Sequence, residues 1–160
     1  MMKILMVCLG NICRSPMAEG VMKQVAEDHG LAHVFVDSCG FESYHLGDAP
    51  DKRAVKACKN HQIDISNQRQ RLFKVSDFDV FDYIFVMDSN NYNDVRRMAR
   101  NEQDMKKVDY LLNVVYPNSN KAVPDPYYGS DDGFENAFLL IEKACKQFAK
   151  EKLMVQQKKD

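Results

Sequence analysis

An apolar run that leads directly into a turn and a helix start lies near the N-terminus, and it constrains the fold more than any other feature. Residues 4–7, Ile-Leu-Met-Val, are too few for a typical helix and are typical of a fully buried strand. Ser15 and Pro16 supply a helix N-cap and a proline at the first helical position. The sequence therefore predicts that Cys8 lies at the carboxyl end of a strand, directly before a helix N-terminus.

Strand-like and helix-like segments alternate along the rest of the chain. The strand-like apolar runs cover residues 3–7, 34–38, 83–87 and 110–112. Helices are predicted from Pro16 to near Gly30, from residue 51 to about residue 61, after Asp88, and from about Asp132 onward. This alternation predicts an α/β fold with a parallel sheet. In such sheets ligands bind beyond the carboxyl ends of the strands, which is where Cys8 is expected.

The segment from Cys8 to Ser15 has the outline of an anion-binding catalytic loop. Gly10 and Asn11 readily enter the left-handed region, which a tight loop needs if its amides are to face one centre. Those amides and the following helix N-terminus favour a phosphate-sized anion, and Arg14 can bind two of its oxygens. Cys-x5-Arg alone is a weak motif, and a lone Cys8 would equally be a buried structural thiol. The surrounding strand, turn and helix start favour the catalytic interpretation.

Composition and charge limit the partners and the compartment. With 160 residues, 45% apolar and 28% charged, the chain predicts one domain over residues 1–155 and a frayed polar tail at 156–160. No apolar segment approaches the roughly 18 residues of a membrane span, and the N-terminal run does not resemble a signal peptide. A net charge of −1 argues against nucleic-acid binding. Five cysteines without metal-ligand spacing predict free thiols in a reducing cytoplasm, and no metal or cofactor is expected.

Two widely separated motifs resemble the low-molecular-weight protein tyrosine phosphatase family. One is Cys-x5-Arg-Ser from Cys8 to Ser15, and the other is Val-Pro-Asp-Pro-Tyr-Tyr-Gly at residues 123–129, which resembles the family's general-acid loop. Matching stretches at residues 37–40, 44–54, 77–91 and 142–145 extend the resemblance over nearly the whole chain. The resemblance implies a three-layer α/β fold with a four-stranded parallel sheet in flavodoxin-like order and helices on both faces. It also implies a phosphotyrosine-containing protein substrate, and inorganic phosphate or sulfate is expected to fit the loop.

Three residues are expected to carry the chemistry. A thiol of ordinary pKa, near 8.5, is mostly protonated at neutral pH, but a helix N-terminus, inward amides and Arg14 favour the thiolate of Cys8. We expect Cys8 to attack a phosphate monoester and form a phosphocysteine that water hydrolyses, while Arg14 stabilises the transition state. A phenol with a pKa near 10 leaves poorly as an anion, so Asp125 is the candidate proton donor. Its proline neighbours restrict the backbone, although Asp-Pro by itself signals only a turn.

Apolar and aromatic residues are expected to select the substrate. By resemblance, Leu9 and Ile12 face the entrance, and Tyr44 and Tyr127 flank the substrate ring. Tyr44 is also compatible with an ordinary half-buried aromatic. The expected substrate-binding residues are Leu9, Gly10, Asn11, Ile12, Cys13, Ser15, Tyr44 and Tyr127.

A polar network is expected behind the loop. By resemblance, Asn11, Ser15 and Ser38 hold the loop in shape. Ser15 is either the helix N-cap or a hydroxyl that hydrogen-bonds the Cys8 sulfur, and both roles are compatible. The family's usual histidine in this network is replaced by Gln68, which can hydrogen-bond but cannot carry charge.

Cys13 has two interpretations. It is either an ordinary loop residue or a resolving thiol that traps oxidised Cys8 as a reversible disulfide. Two thiols five residues apart in one curled loop motivate the second interpretation, which requires Cα atoms within about 7 Å.

Three other functions compete with phosphotyrosine hydrolysis. Arsenate reductases of the related fold need two further cysteines close together, but no cysteine lies between Cys58 and Cys145. Protein arginine phosphatases of this fold carry threonines where Leu9 and Ile12 stand. A phosphate-binding adaptor without catalysis would not need the acid at Asp125.

Overall fold

Four parallel strands form the centre of the molecule in the computed structural model, which describes residues 1–154, with the side chain of Asp131 left out. The strands are β1 (Met2–Val7), β2 (Val34–Cys39), β3 (Tyr83–Val86) and β4 (Val108–Tyr110). Their order in the sheet is β2-β1-β3-β4, and all three pairings are parallel. The predicted α/β class and flavodoxin-like strand order are confirmed.

Helices connect the strands and cover the sheet. They are α1 (Arg14–Asp28), α2 (Lys52–Lys59), α3 (Asp77–Val80), α4 (Ser89–Met98), α5 (Glu102–Met105) and α6 (Asp131–Phe148). A 3-10 turn at Leu111–Val114 follows β4, and a π-helical turn at Ala149–Leu153 follows α6. Within residues 1–154, no helix combines the length and apolar character needed to cross a membrane.

The central strand is buried on both faces, as parallel sheets require. Side chains alternate along β1, so Ile4 and Met6 pack into one core with α1, α2 and α6, whereas Leu5 and Val7 pack into a second core. The second core includes Phe78 of α3 and side chains of α4 and α5. Because each face of the sheet is covered by helices, the predicted three-layer architecture is confirmed.

The strand ends bring distant parts of the chain together. Val7 pairs with Cys39 of β2 and with Val86 of β3, so these three strands end at the same edge. The loop that begins at Cys8 therefore emerges between the ends of its two neighbouring strands, as predicted for a ligand site.

The first helix and the last strand differ from the sequence predictions. Helix α1 begins at Arg14 with Cys13 in the N-cap position, so Ser15 is not the N-cap and Pro16 is not the first helical residue. The fourth strand ends at Tyr110, and the leucines that follow belong to the 3-10 turn. The prediction failed there because an exposed Asp109 interrupts the apolar run of the strand.

The remaining helix predictions succeeded for the longer helices and failed for the short ones. The prediction missed α3 and α5, which have four residues each and carry little periodic signal. Helices α2 and α6 lie where they were predicted, within two residues. The predicted frayed tail at 156–160 lies outside the described residues.

Candidate active site

The loop after β1 makes one tight turn. Asn11 has a φ of 53°, whereas Gly10 has a negative φ, so the left-handed position predicted for both residues is occupied by Asn11 alone. The Asn11 side chain stabilises this conformation because its Oδ1 accepts a 3.1 Å hydrogen bond from the amide of Arg71. The loop conformation thus depends on an anchor sixty residues away in sequence.

The backbone of the loop is oriented for an anion. The carbonyl oxygens of Leu9 and Ile12 point out of the loop, where they accept backbone hydrogen bonds of 2.7 Å and 2.8 Å from the segments before α2. A trans peptide sets its N–H opposite its C=O, so the amides of Gly10 and Cys13 point toward the loop centre. Within residues 1–154 these two amides donate to no protein acceptor. They are available to oxygens of a bound anion.

A buried chain of hydrogen bonds supports the Cys8 sulfur. Asn11 Nδ2 donates to Ser15 Oγ at 2.8 Å and to Ser38 Oγ at 2.9 Å. Ser38 Oγ in turn donates to Glu19 Oε1 at 2.7 Å. Ser15 Oγ lies 3.0 Å from Cys8 Sγ, and the Ser15 amide donates to the same sulfur at 3.4 Å. When Cys8 is a thiolate, only the Ser15 hydroxyl can donate between these two atoms, and the same hydroxyl also lies 3.4 Å from a second acceptor, the carbonyl oxygen of Cys39.

Sequence reasoning missed Glu19, the residue that ends this chain of hydrogen bonds. Its side chain is buried and pairs with Lys23, one helical turn later, at 2.5 Å. Glu and Lys at this spacing are typical of an ion pair on the exposed face of a helix, so the sequence pattern did not predict that Glu19 is buried. Gln68 is not a member of the network, because its Nε2 donates to the carbonyl of Pro16 at 3.0 Å.

Arg14 is buried beside the sulfur and is fixed by groups far along the chain. Its Nη1 donates to Asp88 Oδ2 at 2.7 Å and to the carbonyl of Val123 at 2.9 Å. Burial alone would lower the pKa of Arg14, but the Cys8 sulfur and the hydrogen bond to Asp88 raise it above the ordinary value. Asp88 also caps α4, so the sequence marked it as a helix start and gave no sign of the pair with Arg14.

Asp125 reaches the same site from the loop before α6. Its Oδ2 lies 3.5 Å from Arg14 Nη2, and its side chain is 38% exposed. Its Oδ1 accepts a 3.1 Å hydrogen bond from the amide of Tyr127, which limits the orientation of the carboxyl group. The structure therefore brings together the three residues predicted to carry the chemistry.

These groups open into one cavity of about 270 Å³. It is lined by Cys8, Leu9, Gly10, Ile12, Cys13, Arg14, Glu42, Tyr44, His45, Asp125, Tyr127 and Tyr128. Ile12 and Tyr127 are buried or half-buried there, but Tyr44 is 85% exposed. Tyr44 is therefore not a half-buried aromatic, and it lies on the rim as a projecting side chain. Tyr128, which the sequence did not single out, lies on the same rim and is 92% exposed.

All five cysteines are free and buried in the structure. Burial and the nearby Asp51 carboxylate raise the pKa of Cys13 far above the ordinary value, so this thiol is protonated at neutral pH. The disulfide between Cys8 and Cys13 stays a prediction. No cluster of three or more His, Cys, Asp or Glu side chains suited to a metal ion occurs in the part of the chain that the structure describes.

Gly40 gives a test of how tightly the loop is supported. A Cβ at this position would lie 2.7 Å from the Leu9 carbonyl oxygen and 2.9 Å from the Asn11 nitrogen, both backbone atoms of the loop. We expect Gly40→Ala to displace the loop and to lower kcat/KM for p-nitrophenyl phosphate by about 10-fold or more, since small misplacements are costly in active sites.

Gly20→Ala is the matched control for this substitution. Its Cβ would lie 2.5 Å from the Ile65 side chain, within a helix and away from the loop. We expect this variant to lose stability without a comparable loss of kcat/KM. Equal kinetic losses in the two variants would show that general destabilisation explains the effect of Gly40→Ala.

Comparison with known proteins agrees with this geometry. The family model for low molecular weight phosphotyrosine protein phosphatase matches residues 3–159. A protein of that name from Schizosaccharomyces pombe is 39% identical over 150 residues, which cover 92% of this chain and 95% of the relative. The crystal structure of a protein tyrosine phosphatase from Entamoeba histolytica, with Hepes in its active site, is 38% identical and matches with a TM-score of 0.89 over 100% of both chains.

Some structural relatives are described as arginine phosphatases, among them one from Drosophila that is 33% identical with a TM-score of 0.86 over 99% of both chains. The YwlE arginine phosphatase of Bacillus subtilis is 29% identical and matches with a TM-score of 0.84 over 99% of this chain and 97% of the relative. It was solved as a cysteine-to-serine mutant with a phosphorylated active site serine. The family model covers almost the whole sequence, and the fold and the full-length relatives agree with it. The chain belongs to the low molecular weight phosphotyrosine protein phosphatase family.

Proposed function

We propose that this protein hydrolyses phosphotyrosine in protein substrates through a phosphocysteine formed on Cys8. The observation that supports this most directly is the convergence of Cys8, Arg14 and Asp125 on one cavity, with Arg14 Nη2 3.5 Å from the Asp125 carboxylate. A nucleophile, an oxyanion-binding group and an acid are the three components that phosphoryl transfer from a phenol requires.

The first step transfers the phosphoryl group to the enzyme. The Cys8 thiolate attacks phosphorus, a sulfur–phosphorus bond forms, and the bond to the tyrosine oxygen breaks. The phenol oxygen takes the electron pair of that bond together with a proton from Asp125. Both Nη1 protons of Arg14 are used by Asp88 and Val123, so its Nε and Nη2 edge would bind two phosphate oxygens.

The second step restores the enzyme. Water attacks phosphorus, the ionised Asp125 accepts its proton, and the sulfur leaves with the electron pair of the broken bond. Ser15 Oγ, 3.0 Å from the sulfur, would donate its proton as a hydrogen bond to the departing thiolate. In the YwlE arginine phosphatase relative, a serine that replaces the active-site cysteine carries a phosphoryl group. This supports transfer of the phosphoryl group to Cys8 in the present protein.

Phosphotyrosine is favoured over phosphoarginine by the apolar residues of the loop. Leu9 is 37% exposed and Ile12 is buried, and both line the cavity together with Tyr127. A ring that enters this cavity would contact apolar and aromatic surface before its phosphate reaches Cys8. The longer reach of phosphotyrosine also favours it over phosphoserine at a nucleophile that lies at the floor of a cavity.

A panel of phosphopeptides tests the proposal. Matched peptides that carry phosphotyrosine, phosphoserine or phosphoarginine should be assayed in the presence of a chelator, with released phosphate as the readout. We expect the highest kcat/KM on the phosphotyrosine peptide. Equal values on phosphotyrosine and phosphoserine peptides would contradict selection by cavity depth, and absence of turnover on all three would favour a binding role.

Exchange of the apolar loop residues should change the substrate preference. We expect the double variant Leu9→Thr, Ile12→Thr to lower kcat/KM for the phosphotyrosine peptide by about 2- to 12-fold, which corresponds to about 0.5–1.5 kcal/mol of lost aromatic contact. The same variant should raise the relative activity on phosphoarginine. An unchanged ratio of the two activities would show that these side chains do not select the substrate.

A further inference from the structure

Arg53, near the start of α2, connects the two loops that carry Cys8 and Asp125. Its side chain is half-exposed, at 35%, and it lies outside the set of residues that line the cavity. It nevertheless forms hydrogen bonds to both sides of the cavity, directly on the Asp125 side and through Asp51 on the Cys8 side.

The connection to the Cys8 loop passes through Asp51. The Asp51 amide donates to the Ile12 carbonyl at 2.8 Å, and the Asp51 carboxylate accepts from Arg53 Nε and Nη2, both at 3.1 Å. The same carboxylate caps α2 by accepting a 2.8 Å hydrogen bond from the Arg53 amide. Partial burial alone would raise the pKa of Asp51, but the hydrogen bonds from Arg53 hold it below the ordinary value. The pair is therefore charged at neutral pH.

The connection to the Asp125 loop uses the other edge of the guanidinium. Arg53 Nη2 donates to the carbonyl of Tyr127 at 3.0 Å, and Nη1 lies 3.5 Å from the carbonyl oxygen of Gly129. The guanidinium carbon also lies 4.6 Å from the centre of the Phe134 ring in α6 and 5.5 Å from that of the Tyr127 ring. The loop that carries the acid is thus held at two backbone carbonyls.

We propose that Arg53 is a positioning residue that sets the distance between the Cys8 loop and the Asp125 loop. This inference rests on the proposed role of Asp125 as proton donor. Only the planar fork of arginine can bind the Asp51 carboxylate on one side and carbonyl oxygens on the other, because the ammonium of lysine is a single point of contact. Loss of the fork leaves Asp125 chemically intact but free to move away from the leaving oxygen.

The dependence of rate on the leaving group measures this positioning. We expect Arg53→Ala to lower kcat/KM for phenyl phosphate by about 10- to 100-fold, because misplacement of a catalytic group by about 1 Å costs up to about 100-fold. For 2,4-dinitrophenyl phosphate, whose phenol leaves without a proton, the loss should stay within about 3-fold. A role limited to stability would lower both rates equally.

Arg53→Lys keeps the charge and most of the alkyl chain, and it decides the question if Arg53→Ala folds poorly. We expect this variant to keep the leaving-group dependence of Arg53→Ala, because the fork is missing. The matched control is Arg97→Ala, which removes an arginine paired with Asp94 on α4, outside the cavity. It should behave as the wild type on both substrates. Wild-type rates for Arg53→Lys on both substrates would overturn the proposal.

A double variant separates this inference from the proposed function. If Arg53 acts through the acid, Arg53→Ala should add less than about 2-fold to the loss caused by Asp125→Asn on phenyl phosphate, because residues that act as a unit are not additive. Full additivity of the two losses would overturn the positioning role while leaving the acid role intact. If Asp125→Asn itself has no leaving-group dependence, the acid role in the proposed function is wrong instead, and Asp125 has a structural role.

Discussion

Replacing Cys8 with serine is expected to abolish turnover of p-nitrophenyl phosphate while the fold and the binding of oxyanions persist. A serine hydroxyl holds its proton far more tightly than a thiol and is a much weaker nucleophile in this environment. We expect kcat to fall by at least about 10⁴-fold, since removal of a covalent nucleophile costs on the order of 10⁶-fold in well-studied enzymes. Steady-state kinetics measure the loss, and the shift of the melting temperature by added phosphate measures oxyanion binding.

Cys58→Ala is the control for this experiment. Cys58 is a second buried thiol, outside the cavity, so its removal should leave turnover near the wild-type value. Wild-type turnover in Cys8→Ser would rule out the covalent mechanism. Loss of phosphate binding together with turnover would instead indicate that the serine variant distorts the loop.

Asp125→Asn is expected to slow the hydrolysis of aryl phosphates with poor leaving groups by roughly 10²- to 10⁴-fold, the usual range for general acid catalysis. The amide keeps the size of the side chain and can still accept from the Tyr127 amide, so the loop conformation should persist. The loss of kcat/KM should shrink as the leaving phenol becomes more acidic. A series of substituted phenyl phosphates measures this trend.

Asp64→Asn controls for the loss of a carboxylate elsewhere. Asp64 is exposed and accepts a local hydrogen bond from the Ser66 amide, and it does not line the cavity. This variant should follow the wild-type trend across the series. A loss in Asp125→Asn that is the same for every leaving group would point to a structural role for Asp125.

Local signals made much of the fold predictable. The buried strand before Cys8, the helix after it and the alternation of strands and helices are all encoded in short stretches whose periodicity can be counted. Asn11 was correctly expected in the left-handed region because few side chains tolerate it. The same local reasoning predicted Ser15 as a candidate helix N-cap, but the helix begins one residue before it. The Ser15 hydroxyl instead lies within hydrogen-bond distance of the Cys8 sulfur.

Tertiary partners of the site could not be predicted in this way. Asp88 lies 74 residues from Arg14, and Asp88 also has a sufficient local explanation as the cap of α4. Glu19 has the spacing of a surface ion pair, yet its side chain is buried and accepts a hydrogen bond from the Ser38 hydroxyl of β2. The exposure of Tyr44 depends on what packs beside it, which no pattern along the chain reports.

The hydrogen bond from Arg14 to the carbonyl of Val123 closes a span of 109 residues, and this has a consequence for biosynthesis. A ribosome-bound chain that has emerged as far as β3 already carries the thiol, the arginine and their loop, but it has neither Asp125 nor the carbonyl that orients the guanidinium. The strand and helix beside the thiol can form early, whereas contacts of such long sequence separation form late. We therefore expect the guanidinium of Arg14 to take its final orientation only after the segment that carries Val123 and Asp125 has docked.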